Sequence, residues 1–298
     1  MTTASGLVVV DKPAGVTSHD VVSRVRRLAG TRKVGHAGTL DPMATGVLLL
    51  GLNRATRLLG HLMLTEKAYD ATIRLGIATT TDDAEGEVTA TAATDGLDET
   101  TIRAALAEFT GDLEQVPTAV SAIKVGGKRA YQRVREGEQV ELAPRPVTVH
   151  ELVVHDVSPS TNPGDSATDR VSTTDVRVSL RCSSGTYVRA IARDLGARLG
   201  VGGHLTALRR TAVGAFRIDR ARTLEQLADD LALVPIAEVA RMCFPSRDLD
   251  AADASHVRHG RALDVDLGAV TAMFAPDGEF LALYEPRDGA ARAAAVFV

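Results

Sequence analysis

The stretch Gly35-His36-Ala37-Gly38-Thr39-Leu40-Asp41-Pro42-Met43-Ala44-Thr45-Gly46 sets four turn-forming residues (Gly35, Gly38, Pro42, Gly46) around one histidine and one aspartate. Glycine permits close backbone approach and left-handed dihedrals, and Pro42 holds Asp41 in an extended conformation. The carboxylate is therefore carried on a fixed loop, not on a helix face. A carboxylate so placed serves as an acid or base, as a metal ligand, or as a cap on its own turn. The residues alone leave all three open.

Working outward, Leu-Val-Val-Val at 7–10 reads as a buried strand, followed by the turn Asp11-Lys12-Pro13-Ala14-Gly15. Thr17 or Ser18 then opens a helix with Val21, Val22, Val25 and Leu28 on its apolar face, closed by Gly30. Residues 47–50 form another apolar strand. Tyr69, Ala71, Ile73 and Leu75 alternate with Asp70, Thr72 and Arg74, the pattern of a strand with one polar face. A helix is expected from about Thr101, and a strand with Val176, Val178 and Leu180 inward. A third helix buries Val188, Ile191, Ala192, Leu195 and Leu199 and ends at Gly200. The Ser, Thr, Asp, Pro and Gly-rich stretch 158–174 reads as a solvated loop between strands. Thr223-Leu224-Glu225-Gln226 is a capping-box pattern that predicts a helix to about Leu233. Strands interleaved with helices predict an α+β fold, a largely antiparallel mixed sheet with helices packed on it. A composition shift at Pro235 divides a domain of residues 1–234 from a small β domain of 235–298.

The chain has 298 residues, 45% of them hydrophobic and only 3% aromatic with no Trp, so its core is aliphatic. Cys182 and Cys243 read as reduced thiols without metal-ligand spacing. No targeting segment or membrane span is visible, which predicts a cytoplasmic protein. The net charge is −4, but it is unevenly distributed: +5 over 1–60, −9 over 61–180, +7 over 181–222 and −7 over 223–298. Two basic blocks imply a polarised surface able to attract a polyanion.

The 35–46 stretch resembles the catalytic motif of the TruB-type tRNA pseudouridine synthases. Other matches follow in that family's order: Asp11-Lys12-Pro13 with Gly15, Thr17 and Ser18; Lys67-Ala68-Tyr69; Leu75-Gly76 and Thr79-Thr80-Thr81-Asp82-Asp83-Ala84-Glu85-Gly86. Ser121-Ala122-Ile123-Lys124, Gly127-Lys128-Arg129-Ala130-Tyr131, Gly185-Thr186-Tyr187-Val188-Arg189 and Gly203-His204-Leu205-Thr206-Ala207-Leu208-Arg209-Arg210 complete the set. Thr118, Val120 and Thr80 depart from the common family residues, none at a catalytic position.

The resemblance implies the pseudouridine synthase fold with a PUA-like C-terminal domain. It also implies a cofactor-free, metal-free isomerase that flips uridine 55 out of the T loop of tRNA, acting as a monomer. Asp41 would be the catalytic carboxylate, Arg189 its ionic partner and Tyr69 the ring stacked on the target base. His36 would fill the space the base vacates, and Leu208 would line the apolar wall. Lys12 and Lys67 would be phosphate contacts at the RNA or structural contacts, and Tyr187 would lie at the RNA. Lys124, Lys128 and Arg129 would belong to a basic thumb at about 124–150 that closes on phosphates. The same surface could also remodel tRNA.

Overall fold

The computed structural model describes residues 4–298 except 122, 126, 131, 132, 134, 135, 137, 139, 141 and 161–170. In chain order come β1 (Gly6–Lys12), α1 (Ser18–Ala29), β2 (Val34–Ala37), β3 (Thr45–Leu52) and α2 (Leu59–Met63). Next are β4 (Lys67–Leu75), β5 (Ile77–Thr79), β6 (Val88–Thr91), α3 (Glu99–Ala107) and β7 (Gly111–Gln115). Then follow β8 (Lys124–Val125), β9 (Lys128–Arg129), β10 (Arg145–Pro159), β11 (Thr174–Cys182), α4 (Val188–Leu199) and β12 (Gly203–Val213). The remainder holds β13 (Phe216–Arg217), α5 (Leu224–Asp229), β14 (Val234–Pro235), α6 (Ile236–Cys243) and β15 (Ser246–Asp248). Last are α7 (Ala251–Arg258), β16 (Thr271–Phe274), β17 (Phe280–Arg287) and β18 (Ala290–Val296). Among the described residues no helix is long and apolar enough to cross a membrane.

The chain folds into two compact units, one of Met1–Pro42, Gly46–Leu64 and Val213–Val298, the other of Met43–Thr45 and Thr65–Ala212. In the first, β1 pairs antiparallel with β3 on one side and β14 on the other, and β2 adds to β3. The apolar run of β1 is buried on both faces, as its lack of alternation requires. Helix α1 begins with a reciprocal capping box between Thr17 and Asp20 and ends at Gly30 in the left-handed conformation.

A second sheet in this unit, β15-β16-β17-β18, is parallel at β15–β16 and antiparallel elsewhere. Its two faces have different partners. Met273, Leu281 and Tyr284 share a core with Ala254 and Val257 of α7. Ala272, Phe274, Phe280, Leu283 and Phe297 instead join Leu7, Val9 and Leu49 of β1 and β3. Residues on both sides of the expected 234/235 boundary thus lie in one core. Val234–Pro235 pairs with Gly6 and Leu7, and Val239 and Ala240 of α6 are buried with β1. The shift at Pro235 coincides with the entry to α6.

In the second unit the strand order is β12-β4-β11-β10-β7. Pairing is antiparallel along β4–β11, β11–β10 and β10–β7. Strand β4 alternates as its sequence predicts, burying Tyr69, Ala71, Ile73 and Leu75 together with Lys67. Helix α3 starts two residues before the expected Thr101, because the Asp98 carboxylate accepts from the Thr101 N–H (2.6 Å) and caps it. Helix α4 buries Val188, Ile191, Ala192 and Leu195 and ends at left-handed Gly200. Back in the first unit, α5 has the expected Thr223–Gln226 capping box but stops at Asp229, short of Leu233. Most of the polar 158–174 stretch, residues 161–170, lies outside the described residues.

Candidate active site

Asp41 sits between β2 and β3, half-buried, on a loop tied down on both sides of it. Before it, the buried Ser18 hydroxyl donates to the Leu40 carbonyl (3.0 Å) and accepts from the Leu40 N–H (2.9 Å). After it, the Pro42 carbonyl accepts from the Gly15 N–H (2.9 Å) and from Lys12 Nζ (3.2 Å). Gly15 presents that N–H with φ +79°, a left-handed turn that an L side chain would strain. Lys12, expected as a phosphate or structural contact, is wholly buried, and its ammonium also donates to the Pro13 carbonyl (2.9 Å). The early Asp11-Lys12-Pro13…Gly15…Ser18 motif is thus the mount of the 35–46 motif. His36 lies on β2, its ring edge-on to His19 at 5.5 Å between centroids.

The other expected site residues lie in the second unit. Arg189 is buried in the first turn of α4. It donates to the carbonyls of Thr81 (2.8 Å) and Val120 (2.9 Å) and lies 3.4 Å from the buried Asp83 carboxylate. Asp83 in turn accepts from the Thr81 hydroxyl (2.5 Å) and the Glu85 N–H (3.1 Å). Tyr187 precedes the helix, and its backbone is bracketed by one side chain: its N–H donates to Gln115 Oε1 (2.8 Å) and its carbonyl accepts from Gln115 Nε2 (3.1 Å). Four residues on from Arg189, Arg193 donates to the Val116 carbonyl (2.8 Å) and lies 3.5 Å from the Asp82 carboxylate. Burial pushes the Asp82 carboxyl up to about 6; Arg193 and Arg189 oppose that rise, while Asp194 and Asp83 add to it.

Lys67 and Tyr69 lie on the same buried face at the start of β4. Lys67 donates to the Thr65 carbonyl. Burial, reinforced by the Arg210 guanidinium, lowers its ammonium to about 8, and Cys182 opposes this slightly. Arg210 on β12 is itself buried, as is Leu208 two residues before it. Cys182, opposite Lys67 in the β11–β4 ladder, is pushed up to about 11 by burial, which makes it an inert thiol. Lys124, Lys128 and Arg129 fall on the β8–β9 hairpin, paired Lys124 to Arg129; their side chains lie outside what is described, as do Tyr131 and Arg135. Among the described residues no group of three or more His, Cys, Asp or Glu is placed to hold a metal ion.

Reading the sequence missed the Asp82–Asp83 pair as the seat of two arginines. Its signals were present: adjacent carboxylates in a turn closed by Gly86, and arginines spaced to share one helix face at 189 and 193.

Solved structures share this architecture. A chain of a Cbf5–Nop10–Gar1 complex superposes with a TM-score of 0.73 at 25% identity, covering 98% of this chain and 85% of that one. A chain of an H/ACA ribonucleoprotein bound to a substrate RNA containing 2′-deoxyuridine gives a TM-score of 0.70 at 24% identity over the same shares. The fold is that of the pseudouridine synthases. The TruB family pseudouridylate synthase N-terminal domain matches residues 26–188. The tRNA pseudouridylate synthase B C-terminal domain matches 189–238, and the tRNA pseudouridine synthase II C-terminal domain matches 244–298. Proteins named tRNA pseudouridine synthase B are 55% identical in Arthrobacter sp. (strain FB24), over 98% of this chain and 96% of the relative, and 55% in Thermobifida fusca (strain YX), over 99% of each. The chain belongs to the TruB family of pseudouridylate synthases, and it is an isomerase.

Proposed function

We propose that this chain converts uridine 55 in the T loop of tRNA to pseudouridine, with Asp41 as the catalytic carboxylate. The observation that carries the reading is the double tie at Leu40 and Pro42, which holds the backbone on either side of Asp41 and so fixes where its carboxylate is presented. The reaction breaks the bond between N1 and C1′, turns the base and joins C5 to C1′; the C5 proton is lost and N1 regains one. Substrate and product are isomers, so the step needs no oxidant, reductant or group donor. The carboxylate serves as nucleophile or base in that sequence.

Arg189 pairs with Asp41 in this reading, keeping it ionised and oriented. A target uridine in a folded loop must leave its stack, at a cost of a few kcal/mol. Tyr69 stacks on the flipped base, Leu208 lines its apolar side, and His36 fills the gap left in the RNA. A neutral phenol is a weak base, which favours stacking as the role of Tyr69. Lys12 acts through the Asp41 loop it braces, and Lys67 and Tyr187 shape the base site. Lys124, Lys128 and Arg129 contact phosphates of the T arm, so binding weakens as salt rises. Residues 235–298 add RNA contacts as a PUA-like module. The protein works as a monomer in the cytoplasm.

The test is incubation of unmodified tRNA with purified protein, without added metal or nucleotide. Chemical derivatisation before mass mapping then locates pseudouridine, because the two isomers share a mass. Conversion confined to position 55 supports the reading; conversion elsewhere, or none without an additive, contradicts it.

A further inference from the structure

Helix α4 carries two arginines one turn apart, and each spans the same two neighbouring segments. Arg189 reaches the Thr81 carbonyl and the Asp83 carboxylate on one side and the Val120 carbonyl on the other. Arg193 reaches the Asp82 carboxylate (3.5 Å) on one side and the Val116 carbonyl (2.8 Å) on the other, while its Nε donates to the neighbouring Asp194 carboxylate (2.8 Å). The steps correspond: four residues along the helix match four along 116–120, and the carboxylates are consecutive. Side chains at i and i+4 lie above one another on one helix face. The guanidiniums therefore form two rungs between loop 79–86 and segment 116–120, which runs on toward the β8–β9 hairpin.

We propose that the Asp82–Arg193 rung positions Arg189 for the reaction, by fixing the loop and the segment from which Arg189 is held. Asp82 and Arg193 are then positioning residues, and the inference rests on the role proposed for Arg189. Stability alone does not account for the rung. Asp82 has a left-handed backbone (φ 60°), uncommon for a residue with a side chain. Its carboxylate is buried enough to be pushed up to about 6 despite facing Arg193 and Arg189, with Asp194 and Asp83 repelling it. A folded-state pKa above the unfolded value means that the charged form costs stability above about pH 6. Charge kept where it is unfavourable points to the geometry that it imposes.

Asparagine tolerates the left-handed backbone and keeps the shape of the side chain, so Asp82→Asn removes only the charge. Single-turnover conversion and KM are measured for Asp82→Asn, Arg193→Gln and the double variant on unmodified tRNA. Each single change lowers the rate about tenfold with KM within about twofold, and the double change is no worse than either. The wild-type rate falls as pH drops through about 6, and that limb is missing in Asp82→Asn. Its thermal midpoint above pH 7 is no lower than that of the wild type. A wild-type rate and an unchanged acid limb in Asp82→Asn overturn the proposal, as do losses that multiply in the double variant. Arg189→Lys separates the two levels. If it retains the full rate, the role of Arg189 itself fails; if it alone loses the rate, only the second rung fails.

Discussion

The two halves of the proposed chemistry are mounted by opposite means. Around Asp41 the fold holds main chain: the ties go to the carbonyls and N–H of Leu40 and Pro42, and come from a hydroxyl, an N–H and one buried ammonium. Around Arg189 it holds the side chain itself, with two carbonyls and a buried carboxylate on one guanidinium. A short carboxylate has few torsions, so fixing its flanking backbone nearly fixes the group. A long guanidinium has many, and must be gripped at its tip. The first mount grips the main chain beside the reactive group, whereas the second uses charge on the side chain itself as part of the grip. Substitutions at the first should therefore reach stability and rate together, while those at the second should reach rate with little loss of stability.

Ser18→Ala is the largest break on the first side. It leaves the Leu40 N–H and carbonyl unmet, at about 1–3 kcal/mol each, and frees the backbone next to Asp41. Urea denaturation should show a loss on the order of 3 kcal/mol, together with a rate loss of at least about tenfold. Unchanged stability would show that the loop is held elsewhere. A smaller effect comes from Lys67, whose folded-state ammonium is lowered to about 8 from 10.5. Between those values the unfolded chain binds a proton that the folded chain has released, so stability rises with pH across the window. Denaturation in buffers spanning about pH 8 to 10 should show a rise on the order of 2 kcal/mol in the wild type, absent in Lys67→Met. A flat wild-type profile would mean that Lys67 is better solvated than its burial implies.

Local pattern made much of this legible. The alternation of Tyr69, Ala71, Ile73 and Leu75 gave β4 and its buried face, Thr17 and Gly30 bracketed α1, and Thr223 with Gln226 opened α5. Each depends on residues a few positions apart. What escaped depends on distance along the chain. Val234–Pro235 meets β1 some 230 residues away, and no composition shift encodes that pairing. Asp83 meets Arg189 across more than a hundred residues, and a buried carboxylate looks like any turn aspartate until its partner is seen. For Lys12 the motif left a phosphate contact and a structural one open; only the fold shows it turned inward onto Pro42.

The central claim is that one loop-mounted carboxylate performs the isomerisation, and the direct measurement is single-turnover pseudouridine formation by Asp41→Asn beside tRNA binding by the same preparation. The account predicts wild-type binding with no product formed. Product at the wild-type rate would contradict it.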